Sequence, residues 1–306
     1  MNEHTRLRYA SELLSDRLKD CLYAISPTER ESISELRLRR GRYFSAVLFG
    51  REYFITPDGK LMNSPVNAVT ALPQDIDISY VRAFKGSVHA YPREQAEGYI
   101  TCRGGNRVGF CGTAVTDRSG DVSTVKKISS LNIRIAREVA DCALPVYERA
   151  FSGGLASLIV CSPPCGGKTT VLRDLSRLLG ARYRVALIDE RGELACSEDG
   201  VPQNDVGAHT DVFDCYPRRQ AIVTAVRTMA PEVLICDEIG AKSDLDALEY
   251  ALDSGVKLVC SCHAGTFDEV KKRPAPSKLI KDKVLSCAAI LGTGSSCGRL
   301  KEFYKL

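Results

Sequence analysis

The chain has 306 residues, 44% of them apolar and 26% charged. That supplies a core for one large domain or two and excludes a chain whose main state is disordered. The net charge of +4 lies entirely in residues 1–150, where 22 basic residues face 18 acidic ones, against 20 and 20 in 151–306; so small a surplus falls short of a dedicated nucleic-acid binder.

No run of about 18 apolar residues is present to span a membrane. The start, Met1 to Arg6, lacks the apolar core of a signal peptide, so a cytoplasmic location is expected. The 13 cysteines are odd in number and form no pair of CxxC motifs. Cys161-x3-Cys165 and Cys260-x-Cys262 are poor zinc spacings, so these residues read as reduced, small hydrophobes.

Over 5–24, Leu7, Ala10, Leu13, Leu14, Leu18 and Leu22 fall at helical spacing. Ser26-Pro27-Thr28-Glu29 signals a second helix, with Ser26 as N-cap and Pro27 first inside. Glu35-Leu36-Arg37-Leu38-Arg39 alternates, which predicts a strand with one wet face. The runs 46–49 and 52–55 flank Gly50-Arg51 as a hairpin. Gly104-Gly105-Asn106-Arg107-Val108-Gly109-Phe110-Cys111-Gly112 mixes glycines with short strands. This half is α+β.

The second half changes character. Apolar runs at 157–161, 184–189, 232–236, 257–262 and 288–291 alternate with helical patterns to about Leu179, over 217–229 and over 243–253. Near-continuous apolar strands separated by helices predict a parallel sheet covered on both faces. The expected fold is α/β: a parallel-sheet domain over 146–306, preceded by a smaller α+β domain over 1–145. The boundary is placed near Leu144-Pro145 or Phe151 to Gly154.

Ser162-Pro163-Pro164-Cys165-Gly166-Gly167-Lys168-Thr169-Thr170 follows a predicted strand and opens a predicted helix, the context of a phosphate loop. Gly166 and Gly167 let backbone N–H groups approach phosphate, and the helix turns its positive end toward the same charge. Lys168 is placed to reach the β- and γ-phosphates and Thr169 to ligate Mg²⁺. Ser162 stands where the motif has its first glycine. Val233-Leu234-Ile235-Cys236 runs into Asp237-Glu238. Asp237 is assigned to the Mg²⁺ water shell and Glu238 to general-base activation of water. A further strand, 184–189, ends in Asp189-Glu190, expected beside the nucleotide with Glu190 assisting. His263 ends the strand after the acidic pair, where a polar residue can sense the γ-phosphate. This element order suits a RecA-like P-loop ATPase domain that carries a catalytic glutamate, and no Asn-Lys-x-Asp guanine-reading motif occurs. ATP and Mg²⁺ are the expected substrate and cofactor.

Together, the loop 161–174, Ile188-Asp189-Glu190-Arg191-Gly192-Glu193, Arg227 to Gly240, the segment 104–112 and Ile133-Arg134-Ile135-Ala136-Arg137-Glu138 resemble the stage III sporulation protein AA family. That family is similar to the hexameric ATPases of type II and type IV secretion. The resemblance implies a ring-forming motor that energises a channel complex between mother cell and forespore. It also implies peripheral attachment, on the mother-cell side, to membrane proteins of that complex. It matches Asp189/Glu190 and His263 to a second acidic box and a histidine box. His209 departs from the arginine expected at its position, which would lower activity. Arg134, Arg137 and Arg107 are candidates for closing over the γ-phosphate of their own or a neighbouring subunit.

Two alternatives carry different expectations. A nucleic-acid-stimulated RecA-like translocase or helicase rests on the basic first half alone, and segment 102–112 offers only Phe110 for stacking. A non-hydrolysing, nucleotide-gated scaffold would keep its role without Glu238.

Overall fold

The computed structural model describes residues 3–239 and 242–306; of residues 3, 4 and 242–244 it describes the backbone. The chain forms two compact units, one ending at Arg137 and the other beginning at Glu138.

The first unit opens with α1 (Glu3–Glu12), α2 (Asp16–Ala24) and α3 (Pro27–Glu31). Strands β1 (Ile33–Arg39), β2 (Arg42–Tyr43), β3 (Ser45–Leu48), β4 (Arg51–Ile55), β5 (Leu61–Met62) and β6 (Thr70–Ala71) follow. Then come α4 (Pro73–Ala83), α5 (Pro92–Glu97), β7 (Tyr99–Cys102), β8 (Asn106–Thr116) and β9 (Val122–Arg134). Seven strands form one antiparallel sheet in the order β5-β4-β3-β1-β9-β8-β7. Leu36, Leu38, Leu131 and Ile133 point into a core shared with Leu14, Leu18 and Leu22 of the helices. Glu35, Arg37 and Arg39 alternate with the buried leucines and so lie on the other face.

Two local expectations shift. The helical pattern over 5–24 breaks at 13–15, because Ser15 is extended (φ −58°, ψ 153°) and its hydroxyl donates to the buried Asp75 carboxylate at 2.6 Å. The hairpin turn is Phe49-Gly50, one residue early. Both have positive φ, 49° and 78°, the backbone a tight two-residue hairpin requires.

The second unit contains α6 (Leu144–Phe151), β10 (Leu158–Ser162), α7 (Lys168–Gly180), β11 (Val185–Asp189), β12 (Thr210–Asp214) and α8 (Arg218–Met229). It continues with β13 (Val233–Cys236), α9 (Lys242–Asp253), β14 (Lys257–His263), α10 (Phe267–Lys272), α11 (Pro274–Lys281), β15 (Cys287–Leu291) and β16 (Leu300–Lys305). The sheet order is β12-β11-β13-β14-β10-β15-β16, with β16 antiparallel and the other strands parallel. Every residue of β10, β11, β13 and β15 is buried. Alternate residues feed two cores, one under α6 and α7 and one under α8 to α11. Each fully buried aliphatic side chain contributes about 1.5–3 kcal/mol of transfer free energy, which is why both faces stay closed. All 13 cysteines are free thiols. A hydrogen bond with Cys262, together with burial, pushes the Cys161 thiol well above its ordinary range, so it stays protonated.

Candidate active site

The phosphate loop is built where β10 cannot continue. Pro163 and Pro164 offer no ladder N–H, and the backbone then reverses through positive φ at Cys165 (59°) and Gly167 (84°). Gly166 has no room for a side chain, because a Cβ there would lie 2.3 Å from the Ser162 hydroxyl. Ser162 thus fills the space over the turn; its hydroxyl donates to Pro163 O at 2.8 Å. A Cβ on Gly167 would lie 2.8 Å from Gly298 Cα, in the turn before β16. That turn braces the loop: Gly298 N donates to Gly166 O at 3.2 Å and Cys297 Sγ to Cys165 O at 3.2 Å. No side chain caps the first turn of α7, so its leading amides face the loop as an anion cradle.

Lys168 is buried, which pulls its ammonium below the ordinary lysine range. Its Nζ donates to Ser162 O at 3.3 Å and to His263 Nδ1 at 2.9 Å. His263 Nε2 meets Glu238 Oε1 at 2.7 Å. With Nδ1 accepting from lysine, Nε2 carries the proton and donates to the glutamate. Lysine, histidine and glutamate therefore form one continuous relay. Thr169 Oγ1 donates to Asp237 Oδ2 at 3.1 Å, and Ser261, from β14, donates to the other oxygen of Asp237. A hydroxyl and a carboxylate at this spacing are hard oxygen donors that fit Mg²⁺, which takes few protein ligands and fills its shell with water and phosphate.

Glu238 has φ 47°, in the left-handed region, a strain of about 1–3 kcal/mol for a non-glycine residue. Its second carboxylate oxygen meets Arg191 at 3.1 Å. Gly240, the last residue of the motif quoted above, lies outside the described residues.

β11 lies beyond β13, and β14 separates β13 from the loop strand. Asp189 at the end of β11 is buried and accepts the amides of Glu193, Leu194 and Ala195 at 2.8, 3.0 and 2.8 Å. Burial raises its carboxyl against the pull of those amides. Glu190 is engaged by Arg218, whose Nη2 donates to it at 2.7 Å. These residues line one cleft together with Asp237 and Glu238.

The structure thus brings Ser162 to Thr170, Asp237, Glu238 and His263 together, and sets Glu190 one residue back, behind Arg218. Arg107, Arg134 and Arg137 belong to the first unit. Arg107 and Arg134 are cross-strand partners, Arg107 stacked over Tyr99 at 4.5 Å. Arg137 donates to Ser32 O at 2.9 Å, tying the end of β9 to α3. His209 bonds Gly180 O through Nδ1 at 3.1 Å and precedes β12. It sits at the opposite end of the sheet from this chain's phosphate loop. Ser261, Arg218 and the brace at 297–298 are not read from sequence, because none of them stands within a recognisable motif, and Arg191 stands within the segment 188–193 without a role that the sequence reveals. Pro217-Arg218 at a helix start is the one signal that points to any of them.

A parallel sheet with a glycine turn entering a helix, and with acids ending two of its other strands, is a P-loop fold, and the chain shares its fold with solved ATPases. The ATPase DotB of Legionella pneumophila superposes with a TM-score of 0.56 at 12% identity, covering 99% of this chain and 80% of that one. The pilus retraction motor PilT with bound ADP gives 0.52 at 15% identity, covering 85% and 74%. The chain belongs to the family of sporulation stage III protein AA, whose family model matches residues 5–306. Stage III sporulation protein AA of Bacillus subtilis (strain 168) is 31% identical over 300 residues, covering 96% of this chain and 94% of that protein. Among the described residues, no helix is long and apolar enough to cross a membrane.

Proposed function

We propose that the protein binds ATP at residues 162–170 and hydrolyses it, as the motor of a channel complex in endospore formation. The observation that supports this most is the relay from Lys168 through His263 to Glu238, set beside the Thr169–Asp237 pair. Phosphate entering the loop takes Lys168 away from His263, because a buried ammonium gains more from an anion than from a neutral imidazole. His263 Nδ1 is then free, and Glu238 is positioned to accept a proton from water. Mg²⁺ held by Thr169 and Asp237 would neutralise phosphate charge. Arg134, Arg137 or Arg107 of a neighbouring subunit is the candidate cation for the γ-phosphate. The active form is a homo-oligomeric ring, six subunits by likeness to the secretion ATPases. It attaches to membrane proteins of the complex on the mother-cell side.

The test is steady-state ATP turnover of the full chain. Glu238→Gln should lower kcat by about 10²-fold or more while ADP still binds. Equal turnover in Glu238→Gln would remove Glu238 as the general base, whereas no turnover in the parent, with the role in cells kept in Glu238→Gln, would leave a nucleotide-gated scaffold. Strong stimulation by single-stranded DNA would redirect the motor reading to a translocase.

A further inference from the structure

Glu238 must hold a backbone conformation that its side chain disfavours, and the groups that hold it are visible. Its N–H donates to both Asp237 Oδ1 and Ser261 Oγ at 3.0 Å. The next amide, Ile239, donates to Ser261 O at 3.0 Å. The first two contacts secure the peptide before Glu238, and the third holds one edge of the peptide after it. Its carbonyl is held from the opposite side, by Arg218 Nη1 at 2.9 Å. Arg218 is the first residue of α8, and its side chain is 13% exposed. Its other amino group is committed to Glu190 at 2.7 Å.

We propose that Arg218 is a positioning residue for Glu238, and that Glu190 acts by orienting Arg218; the inference rests on the hydrolytic reading above. The backbone torsions of Glu238 set the direction in which its side chain leaves the chain, and the peptide after it is one of the two planes that fix them. Without a donor on its carbonyl, that peptide is held only at its Ile239 edge, and the torsions of Glu238 are free to relax together toward negative φ, where a residue bearing a Cβ is unstrained. The carboxylate then swings away from His263 Nε2. A guanidinium suits the task because its planar fork holds a carbonyl and a carboxylate at once, in fixed relative directions. Glu190 therefore works two steps from the reacting atoms.

The experiment compares Arg218→Ala, Arg218→Lys, Glu190→Gln and the Arg218→Ala/Glu190→Gln double variant in the full chain. It reads kcat, KM for ATP, affinity for a fluorescent ADP analogue, and hydrogen exchange of the Glu238 and Ile239 amides. Arg218→Ala should lower kcat about 30-fold with KM and ADP affinity within about twofold. Arg218→Lys, which can reach the carbonyl or the carboxylate but not both in fixed directions, should fall between Arg218→Ala and the parent, about tenfold below the parent. Glu190→Gln should cost about fivefold alone and add nothing to Arg218→Ala. The two amides should exchange about tenfold faster in Arg218→Ala. Loss of ADP affinity in step with kcat would overturn the proposal, since Arg218 would then be a nucleotide contact. Unchanged kcat and exchange, or losses that multiply in the double variant, would overturn it too. If the parent shows no turnover, the hydrolytic reading fails, and the exchange comparison alone decides whether Arg218 holds Glu238. Should Arg218→Ala fail to fold, Arg218→Lys and Glu190→Gln carry the same comparison.

Discussion

The two sheets of this protein solve the same problem, hiding apolar strands, in opposite ways. The antiparallel sheet of the first unit buries one face under helices and leaves arginines on the other. The parallel sheet of the second unit buries both faces. A sheet closed on both sides can display polar chemistry only at strand ends, and that is where Asp189, Asp237 and His263 stand. A sheet closed on one side can carry charge along its whole length, as Arg37, Arg39, Arg107 and Arg134 do. The difference separates the roles the two sheets can take: point chemistry in one, a field of cations in the other.

Substitutions at neighbouring positions should expose this contrast most strongly. In β13, Leu234→Ala and Ile235→Ala, each buried, should both destabilise by about 3 kcal/mol. In β9, Ile133→Ala should cost as much, but Arg134→Ala less than about 0.5 kcal/mol. Denaturant melts of the four variants check this, and equal losses at 133 and 134 would break the contrast. A smaller effect is expected from Asp189→Asn, which turns donors toward amides that need acceptors. A loss of about 2 kcal/mol with ADP affinity retained would mark Asp189 as a structural cap. The smallest effect concerns pH. Burial holds Lys168 below its ordinary value of 10.5. Its charged form is penalised in the fold, so this group's contribution to stability rises with pH between the lowered value and 10.5. Phosphate affinity moves the other way, because the neutral amine attracts no anion. ADP affinity, measured by titration, should therefore decline several-fold before pH 10.5 is reached.

How far the sequence could be read follows from the same contrast. β10, β11, β13, β14 and β15 were legible as unbroken apolar runs, since both faces are buried. β12 and β16 were not, because edge strands half open to solvent carry Asp211, Asp214, Lys301 and Glu302 among their apolar residues. The β8–β9 hairpin was hidden for the same reason, its outer residues being exposed threonines, serines and lysines. α6 was obscured by Pro145, which reads as a linker yet sits at the helix start, where its missing N–H costs nothing. In the site, Lys168, Thr169, Asp237, Glu238 and His263 were legible because each ends or follows a strand. Arg218 and Ser261 were not, since their importance arises from a backbone torsion at another residue.

Gly167 has a neighbour that no phosphate-loop motif mentions. Because a Cβ at 167 would collide with Gly298, the glycine is demanded by the chain itself, with or without a nucleotide. The motif and the turn before the last strand are thus a single steric agreement, written 131 residues apart. A relative that had given up hydrolysis would still be bound to keep this glycine, as long as it kept the turn. Loss of activity in such a chain would leave its mark at Lys168 or Glu238, whose places are set by charge, before it touched the glycine that the fold requires.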